Sequence, residues 1–118
     1  MMRAHVLVVG DDPEVGKLVT GILASRGYEV RTASDGESAT ASIAASCPAL
    51  VITDLEMQGM SGIELCRQVR ETSHVPIIVV SGSNSGEGAR ALQLGANVYL
   101  SKPVNPDALI QELGRLVA

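Results

Sequence analysis

The chain has 118 residues, of which 46% are hydrophobic and 19% are charged, and its formal net charge is −4. This length and composition predict one soluble domain over residues 1–118 and exclude a disordered chain. No apolar run approaches the roughly 18 residues that a membrane helix needs, and no signal-peptide pattern opens the chain, so we expect a cytoplasmic protein without a membrane partner. No cluster of Lys and Arg is present, and this domain alone is not expected to bind nucleic acid.

Five short segments rich in branched apolar residues predict strands, and each is followed by a segment with helical signals. The strands are predicted at 6–9, 28–32, 49–54, 76–80 and 97–100. The helices are predicted at 13–26, 36–46, from 61 onward, 87–94 and 106–117, and residues 83–86 predict a loop. Asp12 and Asn105 are placed to cap helices, and Ser61 with Glu64 has the spacing of a capping box.

The strands predicted at 6–9, 49–54 and 76–80 are apolar throughout, which is typical of parallel strands covered by helices on both faces. The segment 28–32 alternates instead, which predicts a strand nearer the sheet edge. Connections between parallel strands are right-handed. The alternation of five strands with five helices therefore predicts an α/β fold with a doubly wound, five-stranded parallel sheet.

Polar side chains stand where four of the predicted strands end: Asp11, Asp54, Ser81 and Lys102. Because the carboxyl ends of parallel strands share one edge of a sheet, we expect these side chains to lie close together. Two neighbouring carboxylates favour a hard cation such as Mg²⁺, which keeps several waters and needs few protein ligands. A lysine and a hydroxyl can both contact phosphoryl oxygens, so the set predicts phosphoryl transfer onto Asp54.

Each of these residues also has an ordinary structural explanation. Asp11 could be a solvated loop acid, and Asp12 only the helix cap. Asp54 could cap a turn formed by its own backbone, and Ser81 could belong to ordinary turn chemistry. Lys102 could simply lie in a loop. The functional interpretation depends on the convergence of all four residues on one edge of the sheet.

Four motifs carry a resemblance that covers essentially the whole chain. They are Val8-Val9-Gly10-Asp11-Asp12-Pro13, Asp54-Leu55-Glu56-Met57-Gln58-Gly59-Met60-Ser61-Gly62, Val80-Ser81-Gly82 and Tyr99-Leu100-Ser101-Lys102-Pro103. In these motifs the chain resembles the receiver domain of two-component response regulators. The resemblance implies a flavodoxin-like (βα)5 fold with the strand order 2-1-3-4-5.

The resemblance also implies a role for each residue of the predicted site. Asp54 matches the phosphoacceptor, and Asp11, Asp54 and the backbone carbonyl of Glu56 match the ligands of Mg²⁺. Lys102 matches the lysine that contacts the acceptor and a phosphoryl oxygen. Ser81 matches the switch hydroxyl that is drawn to the phosphoryl group.

Three further positions complete the implied site. Gly82 matches the small residue that leaves access to the acceptor. Tyr99 matches the aromatic residue that swings inward when the Ser81 hydroxyl moves. Pro103 is expected to follow a cis peptide bond, which X-Pro bonds adopt at low cost.

Three positions depart from the family pattern. Gly10 stands where the family usually has an acid that acts on the metal through water, so weaker Mg²⁺ binding is expected. Gln58 replaces the usual proline and frees the loop after Asp54. Ser61 replaces the usual Asp and preserves its capping role. Neither Gln58 nor Ser61 is expected to touch the chemistry.

The resemblance implies that a histidine kinase or a phosphotransfer protein phosphorylates Asp54, and that a downstream effector or output domain responds to the Ser81/Tyr99 face. The domain would assist its own phosphorylation and dephosphorylation without being a metabolic enzyme, and a homodimer is a further partner that the resemblance allows. Two alternatives stay open. Gly10 suggests a phosphate-independent, receiver-like interaction module, and a Mg²⁺-dependent phosphatase would need a second Asp where Glu56 stands.

Overall fold

A computed structural model of the chain describes residues 4–82 and 86–117. Within these ranges the strands are β1 (His5–Val9), β2 (Glu29–Ala33), β3 (Leu50–Asp54), β4 (Ile77–Ser81) and β5 (Val98–Ser101). The helices are α1 (Pro13–Ser25), α2 (Gly36–Ala45), α3 (Gly62–Thr72), α4 (Glu87–Gln93) and α5 (Pro106–Leu116). Every predicted strand and helix is therefore present. Three residues of the predicted loop at 83–86 lie outside the described residues.

The strands form one parallel sheet in the order β2-β1-β3-β4-β5, which confirms the predicted fold class. All residues of β1, β3 and β4 are buried, whereas the outer strands β2 and β5 are partly exposed. Parallel pairing brings the carboxyl ends of all strands to one edge, which we call the upper edge (residues 10–12, 54–58, 81–82 and 101–103). The opposite edge, the lower edge, contains residues 5, 49, 73–77 and 95–97.

Two apolar clusters fill the space between the sheet and the helices. Val6 and Val8 pack with residues of α1 and α5 on one face. Leu7 and Val9 pack with residues of α2, α3 and α4 on the other face. Side chains alternate along a strand, so one apolar strand supplies both layers. No helix in the described ranges is long and apolar enough to cross a bilayer.

The helix starts follow the predicted capping with one correction. Asp12 accepts a hydrogen bond from the backbone N–H of Glu14 at 3.0 Å. Ser61 accepts one from the backbone N–H of Glu64 at 3.2 Å. The capping box is only half formed, because the Glu64 carboxylate pairs with Arg67 at 2.6 Å. The hydrogen bonds from Arg67 lower the pKa of Glu64 to about 2.

At the lower edge, the guanidinium of Arg70 joins α3 to the starts of β4 and β5. It donates to the carbonyls of Val75 at 2.7 Å and Gly95 at 2.9 Å, and to Oδ1 of Asn97 at 3.0 Å. Among the described residues no carboxylate pairs with this guanidinium. Gly95 has φ +117°, and a Cβ there would lie 2.7 Å from the Arg70 side chain, so this position needs glycine for both conformation and space.

Candidate functional site

Backbone hydrogen bonds continue past the ends of the strands and determine how the upper edge is built. The N–H of Leu55 donates to the carbonyl of Val80, and the N–H of Lys102 donates to the carbonyl of Ser81, both at 3.0 Å. Asp54 itself pairs with Val80 in the sheet register. These bonds bring Asp54, Ser81 and Lys102 together from three neighbouring strands.

Asp54 and Lys102 form the central contact of this edge. Nζ of Lys102 lies 2.8 Å from Oδ2 of Asp54, and the two side chains are 22% and 3% exposed. The other carboxylate oxygen, Oδ1, accepts a hydrogen bond from the backbone N–H of Glu56 at 3.1 Å. Asp54 therefore does cap its own turn, and the same carboxylate also faces the lysine.

The charge state of Lys102 reflects this environment. Burial lowers its pKa, but the hydrogen bond and the negative charge of Asp54 outweigh that effect. The carboxylates of Glu56 and Asp12 act in the same direction as Asp54, and the net result is a raised pKa for Lys102. The lysine is thus held as an ammonium cation beside a nearly buried carboxylate.

Asp11 is exposed on the loop after β1, and Gln58 holds its carboxylate. The backbone N–H of Gln58 donates to Oδ2 of Asp11 at 3.2 Å. The sequence did not indicate this contact, and the expectation that Gln58 does not touch the chemistry stays a prediction. Proline, which has no N–H, could not make this bond. The replacement of proline by glutamine creates a link between the two loops that carry the predicted metal ligands.

The side chain of Glu56 makes a contact that the sequence does not predict. Its Oε1 accepts a hydrogen bond from the backbone N–H of Gly82 at 2.9 Å, across 26 residues of sequence. The Glu56 carboxylate therefore connects the loop after β3 to the loop after β4. The family pattern assigns only the backbone carbonyl of this residue, so no sequence signal indicated the contact.

Gly10 leaves space beside Asp54. A Cβ at this position would lie 3.4 Å from Cβ and 3.9 Å from Oδ2 of Asp54, which are ordinary contact distances. A groove of about 530 Å³ between α1 and β2 reaches the carboxylate at this point. A Cβ would fit here, and the absence of an acidic side chain leaves the upper edge with one negative charge fewer than the family pattern has.

The remaining predicted residues belong to β4, to β5 and to the loop after β5. Ser81 is fully buried at the end of β4. The half-buried ring of Tyr99 packs against α4 at Gly88, where an added Cβ would overlap the ring. The peptide bond between Lys102 and Pro103 is cis.

The donor set of the upper edge fits a hard cation that needs few protein ligands. In the part of the chain that the structure describes, no three His, Cys, Asp or Glu side chains form a ready cation site. Asp11 and Asp54 supply two carboxylates, and the backbone of Glu56 supplies a carbonyl. Oδ1 and Oδ2 of Asp54 and Oδ2 of Asp11 each accept a hydrogen bond here, and a carboxylate oxygen has the capacity to accept more than one. Mg²⁺ is the cation that suits such a set, since it completes its coordination with water.

Comparison with known proteins gives consistent matches along the chain. The family model described as response regulator receiver domain matches residues 6–114. The nitrogen assimilation regulatory protein NtrX of Azorhizobium caulinodans is 40% identical over 113 residues, which cover 92% of this chain and 25% of NtrX. The DNA-binding response regulator MtrA of Mycolicibacterium smegmatis is 34% identical over 110 residues, which cover 92% of this chain and 48% of MtrA. The chain thus spans between a quarter and half of the length of these curated relatives.

A solved structure agrees with the sequence matches. The chemotaxis response regulator CheY4 of Vibrio cholerae superposes with a TM-score of 0.87 at 34% sequence identity. The match covers 98% of this chain and 99% of the CheY4 chain. The chain therefore belongs to the response regulator receiver domain family.

Proposed function

We propose that this chain is the phosphoacceptor receiver domain of a two-component phosphorelay and that Asp54 is the residue that is phosphorylated. One observation carries the proposal: a carboxylate only 3% exposed ends β3 and contacts the Lys102 ammonium at 2.8 Å. In this proposal, residues 1–118 act as one receiver domain, and the protein is cytoplasmic. An output domain enters this proposal only as a partner of the receiver domain.

The proposed donor is a phosphohistidine of a histidine kinase or of a phosphotransfer protein. A carboxylate oxygen of Asp54 attacks phosphorus, the P–N bond breaks, and the released imidazole nitrogen takes up a proton. The Lys102 ammonium can follow the phosphoryl oxygens as charge moves onto them. Water later cleaves the acyl phosphate to phosphate and free Asp54. The domain assists both steps on itself and has no metabolic substrate.

Asp11, Asp54 and the backbone carbonyl of Glu56 are the residues that would hold Mg²⁺. When bound, this ion neutralises negative charge on the transferring phosphoryl group. The hydrogen bond from Gln58 to Asp11 supports this role, because it restrains the carboxylate at the site. Because Gly10 has no carboxylate, the site has one negative charge fewer, and its affinity for Mg²⁺ is lower.

The output of the proposed switch depends on Ser81 and Tyr99. The Ser81 hydroxyl would donate to a phosphoryl oxygen on Asp54, and the Tyr99 ring would leave its position against Gly88. An effector, an output domain or a second copy of the chain that binds the two surfaces with different affinity would then report phosphorylation.

The test is the intact mass of the protein after incubation with acetyl phosphate and Mg²⁺. Wild type is expected to gain one phosphoryl group, and Asp54→Asn none. The matched control is Asp35→Asn, which also removes a carboxylate but retains a residue that caps α2 well. This control should be phosphorylated like wild type. Chelation of the metal with EDTA should abolish the adduct on both.

The opposite results identify the alternatives. An adduct that persists on Asp54→Asn would place the acceptor elsewhere. A folded wild type that neither gains the adduct nor binds beryllofluoride would indicate the phosphate-independent interaction module. Sustained turnover of a generic phosphatase substrate would indicate that the protein is a Mg²⁺-dependent phosphatase.

A further inference from the structure

At the upper edge, the carboxylate of Glu56 already accepts a hydrogen bond from a backbone N–H group. Its Oε1 accepts the N–H of Gly82 at 2.9 Å. The charge of the same carboxylate helps to raise the pKa of Lys102. Gly82 itself lies beside the lysine, since a Cβ added there would be 3.5 Å from Cδ of Lys102. The Glu56 carboxylate thus binds a donor at the end of β4, beside the lysine that contacts Asp54.

A phosphoryl group on Asp54 needs these same donors. It brings roughly two negative charges and three acceptor oxygens. Beyond Lys102, the donors one residue apart at the end of β4 are the hydroxyl of Ser81 and the N–H of Gly82. The Gly82 N–H is occupied by Glu56. Phosphoryl transfer would therefore bring a second anion beside a carboxylate that already uses one of the donors.

We propose that the Glu56 carboxylate occupies the position of one phosphoryl oxygen in the unphosphorylated domain and that it must release the Gly82 N–H when Asp54 is phosphorylated. This inference rests on the proposed function of Asp54. It makes Glu56 a positioning residue, which sets how readily the site accepts a phosphoryl group. Glu56 is exposed, so its side chain can leave into solvent without opening the core.

Two conservative variants separate the contact from the charge. Glu56→Asp keeps the charge but is one methylene shorter, so it cannot reach the Gly82 N–H without moving the loop. Glu56→Gln keeps the reach but loses the charge, and a neutral acceptor makes a hydrogen bond about half as strong. Glu56→Ala removes both. All three keep the backbone carbonyl that the metal site would use. Glu14→Gln, which removes a charge from the exposed first turn of α1, is the matched control.

Each variant is incubated with acetyl phosphate and Mg²⁺, and beryllofluoride affinity is measured by NMR titration. We expect roughly tenfold faster phosphorylation and tighter beryllofluoride binding for Glu56→Ala, because a hydrogen bond to a charged acceptor is lost. The phosphorylation rate and beryllofluoride affinity of Glu56→Asp should approach those of Glu56→Ala. Those of Glu56→Gln should lie between the values for Glu56→Ala and wild type. Glu14→Gln should match wild type. The amide resonance of Gly82 should shift in Glu56→Asp and Glu56→Ala, which a general effect of charge would not produce.

Equal rates and affinities in wild type, Glu56→Asp and Glu56→Ala would overturn the inference, while an adduct on Asp54 would leave the proposed function intact. Slower phosphorylation of Glu56→Ala would also overturn it, since Glu56 would then assist the reaction. If wild type and all variants fold but none binds beryllofluoride or gains a phosphoryl group, the proposed function fails and the inference fails with it.

Discussion

A partly buried cationic side chain lies at each of the two edges of the sheet, and the two differ in the charge of the groups around them. At the upper edge Lys102 faces the carboxylate of Asp54, with Glu56 and Asp12 adding negative charge. At the lower edge Arg70 donates to the neutral oxygens of Val75, Gly95 and Asn97. Negative neighbours raise the pKa of Lys102, whereas burial lowers that of Arg70.

This difference separates a structural site from a reactive one. The acceptors of Arg70 are backbone carbonyls and one amide, which are fixed by the start of β4 and by the turn before β5. The acceptor of Lys102 is a carboxylate, which can be modified and whose modification changes the charge that the lysine sees. We therefore expect the lower edge to determine stability and the upper edge to determine phosphoryl chemistry.

Lys102→Met should have the largest effect at the upper edge. Loss of one preorganised donor to the reacting group costs roughly a hundredfold or more in rate. Phosphorylation by acetyl phosphate, followed by intact mass, should be slower by at least that factor. Lys17→Met, which removes an exposed lysine from α1, is the control and should behave as wild type. A variant that is phosphorylated at the wild-type rate would remove Lys102 from the mechanism.

Arg70→Met should have the converse effect. The substitution removes the hydrogen bonds to the partly buried carbonyls of Ser73, Val75 and Gly95, and we expect a loss of about 3 kcal/mol in the free energy of unfolding. Urea denaturation measures this loss, and the phosphorylation rate of the folded protein should be unchanged. Arg67→Met on the same helix is the control, because that arginine only makes exposed ion pairs and should leave the urea midpoint nearly unchanged. Equal midpoints for the two variants would contradict the assignment of the lower edge to stability.

Gly10→Asp should strengthen the upper edge. A Cβ at this position has room beside Asp54, and the carboxylate that it carries would add a negative charge near the cation site. We expect roughly tenfold tighter Mg²⁺ binding, equivalent to about 1.4 kcal/mol, measured by calorimetric or NMR titration. Gly10→Asn has nearly the same shape without the charge and should remain close to wild type. If both variants bind Mg²⁺ alike, charge at this position does not limit the affinity.

Gln58→Pro tests the link between the two metal-binding loops. Proline removes the N–H that restrains Asp11, whereas Gln58→Ala retains it. A hydrogen bond of about 1 kcal/mol corresponds to roughly fivefold weaker Mg²⁺ binding for the proline variant than for the alanine variant. The same titration measures both. Tighter binding by the proline variant would mean that the N–H competes with the metal instead of orienting its ligand.

The smallest expected effect is the pH dependence contributed by His5 at the lower edge. Burial and the charge of Arg31 lower the pKa of His5 below its ordinary value of 6.5, although Glu29 opposes them. As the pH falls, His5 is therefore protonated at a higher pH in the unfolded chain than in the folded one. The stabilising contribution is present above pH 6.5 and is lost as the pH falls through the lowered pKa of the folded state. Urea midpoints between pH 7.5 and 5.5 should show this slope in wild type and a smaller one in His5→Val, with the exposed His74→Gln as the matched control.

Much of the fold could be predicted because its signals are local. Apolar runs such as 50–54 and 77–80 indicate buried parallel strands wherever they occur, and Asp12, Ser61 and Asn105 mark helix starts by their own side chains. The convergence of Asp54, Ser81 and Lys102 followed from the rule that parallel strands end at one edge. The partial exposure of β2, an outer strand of the sheet, followed from its alternating pattern.

The sequence by itself therefore determined the elements, their parallel pairing and the residue types that meet at the upper edge, whereas the order of the strands came from the resemblance to the family. Only the tertiary structure decided the contacts between segments far apart in the sequence: Gln58 with Asp11 across 47 residues, Glu56 with Gly82 across 26, and Arg70 of α3 with Asn97 across 27. The physical reason is that periodicity reports on burial, which each segment expresses alone. A hydrogen bond between two loops depends on backbone positions that neither loop specifies without the other.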